Sequence, residues 1–131
     1  MTGKKIGPLA ALLIAVVFSG VLSQATAASV ADEEIRQLLG YLERSGCGVY
    51  RNGIWYSASH ARAHLEKKYR YLLDRGLVDT TENFMNRVAT ASSVSGEPYQ
   101  VKCDGREPVS SAEWFTTELH RLRRAADAPK P

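Results

Sequence analysis

Two cysteines, Cys47 and Cys103, limit what this chain can fold into more than any other residues do. Whether they bridge depends on compartment, because disulfides persist in oxidising surroundings and are rare in the cytosol. The first residues bear on that question. Met1 to Lys5 ends in two lysines, the run from Leu9 to Leu22 is apolar apart from Ser19 and Gly20, and Ala25-Thr26-Ala27 supplies small residues for a cut. Basic start, short apolar middle and A-x-A end are the three parts of a secretory signal peptide. The apolar run is about 14 residues, short of the roughly 20 that a membrane span needs. The expectation is a signal peptide over 1–27, cleavage near Ala27, and a periplasmic or secreted protein with no stable membrane anchor. In that setting Cys47 and Cys103 are expected to form a disulfide rather than a metal site or a nucleophile. Closing the loop of about 55 residues between them would contribute about 4 kcal/mol by the chain-entropy model. A domain this small has a limited core and can use it.

Residues 28–125 suit one domain, and 126–131 lack an apolar pattern and read as a disordered tail. The formal charge of +3 falls to about +1 once Lys4 and Lys5 leave with the signal. No basic block with interleaved aromatics appears that would follow a phosphate backbone, so nucleic acid is not an expected partner.

Ser29 is placed to cap a first helix, with Ile35, Leu38, Leu39 and Leu42 forming its apolar stripe and Ser45-Gly46 its stop. Asn52-Gly53 lies between Gly48-Val49-Tyr50-Arg51 and Ile54-Trp55-Tyr56-Ser57, the strongest local hairpin signal a sequence offers. A second helix starts after Ser57 or Ser59 and ends near Arg75, with Gly76 at its C-terminus. Its inward face is Ala61, Leu65, Tyr69 and Leu72. The stripe beside it is His60, His64, Lys68, Tyr71 and Arg75. Thr80 caps a third helix with Phe84, Val88 and Ala91 inward, and the serines from Ser92 break it. Pro98 to Cys103 alternates as a third strand, and Ser110 with Glu113 opens a last helix. A bridge from the start of the first strand to the end of the third makes those strands antiparallel neighbours. The fold class expected is α+β: four helices and a three-stranded antiparallel sheet, containing one hairpin and ordered second–first–third, with the helices on one face.

His60 and His64 stand four apart on one helix face, a workable spacing for a metal, but no third ligand accompanies them. No metal and no cofactor is implied. Ser92, Ser93 and Ser95 sit at a helix break that His64 could approach, without a G-x-S-x-G elbow. Arg51, His64, Lys68, Ser92, Ser93 and Ser95 together would make a polar pocket for a carboxylate, phosphate or sugar acid, since cations and free donors stabilise a bound anion. Trp55, Tyr56 and Trp114 fit core packing as well as a partner surface.

Arg51-Asn52-Gly53, Ala61 with His64-Leu65 and Lys68, Asp79-Thr80 with Glu82 and Phe84, Ala91 to Gly96, and Pro98-Tyr99-Gln100-Val101 fall in one order. In these motifs the chain resembles the YfeK-like family of small exported bacterial proteins carrying a domain of unknown function (DUF 5329). The likeness spans nearly the whole mature chain, more loosely in the last helix. It implies no activity, ligand or catalytic residue, but its motifs include Arg51, His64, Lys68, Ser92, Ser93 and Ser95. The favoured reading is a non-enzymatic binding or interaction module for an anionic ligand. Two alternatives remain. One is a small periplasmic hydrolase using His64 with a serine of Ser92–Ser95. The other is an inhibitor of a cell-wall enzyme presenting the loop Ser92–Tyr99. A periplasmic protein or a cell-wall fragment is the partner such readings call for.

Overall fold

A computed structural model describes residue 3 and residues 19–131, with side chains from residue 27 onward. The expected signal peptide over 1–27 lies largely outside the described residues. Helix α1 (Ser19–Ser45) leads into strands β1 (Gly48–Arg51) and β2 (Ile54–Tyr56). Helix α2 (Ala58–Leu73) follows, then α3 (Thr81–Phe84), which passes directly into a π-helical stretch, Met85–Ala89. Strands β3 (Gln100–Lys102) and β4 (Val109–Ser110) and helix α4 (Ser111–Asp127) complete the order. No helix among the described residues is long and apolar enough to cross a membrane.

The hairpin forms where Asn-Gly predicts it. Asn52 and Gly53 have φ of 49° and 87°, a left-handed pair that these two residue types tolerate best. Val49 pairs with Tyr56 on one side and with Val101 on the other, and Val101 pairs with Val109. The sheet order is β2-β1-β3-β4, antiparallel throughout. The expected second–first–third order is present, but the sheet has four strands rather than three. The extra strand is two residues long, Val109–Ser110, too short to carry an alternation that a sequence reading could detect. Gly48 opposite Lys102 brings Cys47 and Cys103 together, and they form a disulfide.

Alternation sorts the sheet into two faces. Val49, Val101 and the preceding Tyr99 are buried, while Gln100, Lys102 and Trp55 are exposed. The buried face meets Ile35, Leu38 and Leu42 of α1, Ala61 and Leu65 of α2, Phe84 and Val88, and Phe115 and Leu119 of α4 in one cluster. Trp114 stacks on Tyr41 at 4.7 Å, so it serves packing.

Three local expectations change. Helix α1 runs through Ser29, so Ser29 is not at an N-terminus in this chain. Helix α4 continues to Asp127, two residues into the segment read as a tail. The third helix turns π-helical after Phe84, and Ala91 leaves it to bridge Pro98 in an antiparallel β-bridge. Thr90 compensates by donating its hydroxyl to the Met85 carbonyl at 2.5 Å.

Candidate functional site

Three segments converge beside the hairpin. Arg51 and Asn52 come from its tip; His64, Lys67, Lys68, Tyr71 and Leu72 from the side of α2 next to its core face; and Ser92, Ser93 and Val94 from the loop after the π-helix. Tyr99 lies between them, and together they line a cleft of about 490 Å³. A narrow slot adjoins it, lined by Arg51, His64, Tyr56, His60, Tyr99 and the core residues Val49, Ala61 and Leu65. Arg51, His64 and Tyr99 are shared by both, so they mark the cleft's inner end.

Helix α2 owes its start to Ser57, whose hydroxyl accepts from the His60 N–H. That cap fixes the helical phase. With Leu65 and Tyr69 buried, His64 and Lys68 one position earlier fall on the boundary between core and solvent. Arg51 shares the sheet face of Val49 by the period of two, and its guanidinium lies 5.2 Å from the Tyr56 ring centre. Its Nε is buried without a hydrogen-bond partner. Lys68 reaches the loop. Its ammonium donates to the Val88 and Ala91 carbonyls at 3.2 and 3.0 Å and lies 5.5 Å from the Tyr99 ring centre. Those carbonyls belong to the end of the π-helical segment and the residues just past it, where a cation is favoured. Two of the ammonium's three protons are thus engaged and one remains.

The loop wall is tied to the hairpin by Asn52. Its amide donates to Ser92 Oγ at 3.1 Å, and its carbonyl accepts from Ser95 Oγ at 2.6 Å. Ser92 Oγ also accepts from the Val94 and Ser95 N–H groups. Its own proton has no acceptor among the described residues. Ser93 is exposed on the cleft wall, whereas Ser95 faces Asn52 and does not line the cleft.

The site is electropositive, and its charges act on one another. Burial first, then Arg51, Lys68, His60 and Lys67, hold the His64 imidazole below its ordinary pKa. Burial and then Arg51 hold the Lys68 ammonium below its own. Burial raises the Tyr99 phenol, and Arg51 partly offsets that. No Asp or Glu lines the cleft, and no salt bridge among the described residues involves Arg51, Lys67 or Lys68. Glu82 is taken by Arg123, and Glu97 accepts from the Tyr50 hydroxyl.

Of the residues singled out from sequence, Arg51, His64, Lys68, Ser92 and Ser93 meet at one cleft, and Ser95 braces its wall. His60 instead stacks on Tyr56 at 4.6 Å. Among the described residues no three His, Cys, Asp or Glu side chains gather as metal ligands. No hydrogen bond among the described residues joins His64 to a serine. Sequence reasoning missed Asn52, Lys67, Tyr71, Leu72, Val94 and Tyr99 as site residues. Asn52 was absorbed by its turn role. Tyr99 was signalled by alternation with Val101, and Val94 by being a lone apolar residue among serines.

Among protein-family models, one described as a family of unknown function, DUF5329, matches residues 29–123. No curated protein and no solved structure matches the chain.

Proposed function

The chain belongs to the DUF5329 family, and from that premise we propose that it is a binding protein whose cleft takes a small anion. One observation carries this reading: Arg51, His64, Lys67 and Lys68 line a single cleft with no carboxylate among the described residues of its wall. Elsewhere five arginines, Arg36, Arg62, Arg70, Arg121 and Arg123, are paired with carboxylates. Burial and the Arg51 charge lower the proton affinity of His64 and Lys68, and a bound anion would relieve that crowding of positive charge. The Arg51 guanidinium, the third Lys68 proton and the Ser92 hydroxyl proton are the donors that would serve that anion.

The reading extends to an exported, YfeK-like protein of the periplasm, supported by the basic start, the apolar run and Ala25-Thr26-Ala27 together with the Cys47–Cys103 disulfide. A hydrolase using His64 and a serine of Ser92–Ser95 has less support, because no hydrogen bond among the described residues orients the imidazole toward a hydroxyl. An inhibitory loop over Ser92–Tyr99 has the bracing of Asn52 in its favour, but the cations of the cleft would then be idle.

Calorimetric titration at low salt with acetate and with inorganic phosphate tests the proposal. At least one should bind the wild type, and Arg51→Gln should weaken it by about 10-fold or more, as loss of a hydrogen bond to a charged group does. No binding to the wild type by either anion, or equal binding by Arg51→Gln, overturns it.

A further inference from the structure

We propose that the ligand of this cleft is an amphiphilic organic anion, with its charged head at Arg51, His64 and Lys68 and an apolar body against Val94, Tyr71 and Leu72. The inference rests on the anion reading above and names the ligand class. It follows from how the cleft is graded. The basic side chains at its inner end are half-buried, and Arg51 and His64 continue into the slot beside the core. Among the exposed residues that line the cleft, beside Asn52, Lys67 and Ser93, two are apolar. Val94 is 96% exposed and Tyr71 56%, and both line the cleft.

An exposed valine at the tip of a serine loop has no packing role in the chain itself. Two large apolar side chains open to water on opposite walls of one cleft are a surface waiting for an apolar group. Tyr71 offers one ring face, since Arg75 covers the other at 3.5 Å. The loop wall is fixed in place, because Asn52 ties it to the hairpin. An inorganic anion would engage the inner cations and leave Val94 and Tyr71 exposed. A carboxylate or phosphate monoester with an alkyl or aromatic body would satisfy both ends, as ligand sites that combine apolar walls with a few placed polar groups do.

Calorimetry with acetate, butanoate, hexanoate and octanoate tests this, with inorganic phosphate as the headgroup control. Affinity should rise about two- to fourfold per methylene, as progressive burial of CH₂ groups predicts. Val94→Ser and Tyr71→Ser are exposed substitutions that should leave the fold intact, and each should lower the octanoate-to-acetate affinity ratio several-fold. Equal affinity for acetate and octanoate overturns the amphiphile while leaving the anion site standing. An unchanged ratio in both variants also overturns it. Binding of octanoate without any weakening in Arg51→Gln, or no binding by any carboxylate or by phosphate, overturns the anion reading itself.

Discussion

His64 is the residue at which the cleft's electrostatics become measurable. Its imidazole is partly buried, and the groups facing it are Arg51 from β1 and Lys68, His60 and Lys67 from its own helix. All of these favour the neutral ring, so its folded-state pKa is depressed below the ordinary value of about 6.5. Below that pH the unfolded chain binds a proton at His64 that the folded chain resists. Stability from this group is therefore intact above about pH 6.5 and falls as the solution is acidified below it. An NMR titration of the His64 ring should show a midpoint below 6.5, and a bound carboxylate should move it upward, because the anion stabilises the imidazolium. A midpoint at or above 6.5 in the free protein would mean that the Arg51 and Lys68 charges do not reach the ring. His60, the other half of the i, i+4 pair, stacks on Tyr56 instead of facing the cleft's cations.

At the scale of elements, the junction between the π-helical stretch and α4 holds the loop wall in place. Ser111 is 1% exposed, donates its hydroxyl to the Ala89 carbonyl at 2.6 Å and its backbone N–H to the Tyr99 carbonyl at 2.9 Å. It thus joins the end of the π-helix, the approach to β3 and the start of α4. Ser111→Ala keeps the backbone bond and removes the other, leaving a buried carbonyl short of a partner at a cost of about 1–2 kcal/mol. For a domain of about 100 residues that is a fall of roughly 5–10 °C in Tm, and a thermal melt with an unchanged midpoint would show that Ala89 finds another donor. None of this junction was legible in the sequence. The hairpin was, because Asn52-Gly53 encodes it locally, and so was α2, because Ala61, Leu65, Tyr69 and Leu72 mark its buried side. The π-helix was not, because Phe84 and Val88 keep an ordinary helical spacing and the change in hydrogen bonding begins within it. For the cleft, Arg51, His64 and Lys68 could be named because each is a basic residue at a phase neither fully buried nor fully exposed. Tyr71, Leu72 and Val94 could not, since they become neighbours only when the loop folds back onto α2.

For the molecule as a whole, the disulfide closes its longest local constraint. Cys47 and Cys103 are separated by 56 positions, and between them lie the hairpin, α2, α3, the π-helix and all the residues that line the cleft. The bridge flanks the pair Gly48–Lys102, so it fixes β1 against β3 at the end of the sheet away from the hairpin turn. Its effect falls mainly on the unfolded chain, whose loop entropy it removes at about 4 kcal/mol by the chain-entropy model. Cys47 is one member of the buried core and Cys103 packs against it, but Leu38, Leu42, Phe84, Phe115 and the rest of the cluster remain without them, so the folded state should survive removal of the sulfur atoms with reduced stability. Cys47→Ala with Cys103→Ala should therefore keep the native circular dichroism spectrum at low temperature while Tm drops by about 15–30 °C. Anion binding by the folded double variant should be close to that of the oxidised protein, because neither cysteine lines the cleft. A drop of less than about 5 °C would mean that the β1–β3 ladder alone holds the ends together in the unfolded ensemble. Loss of binding at temperatures where the variant is folded would mean that the bridge shapes the cleft directly, through the strand that carries Arg51.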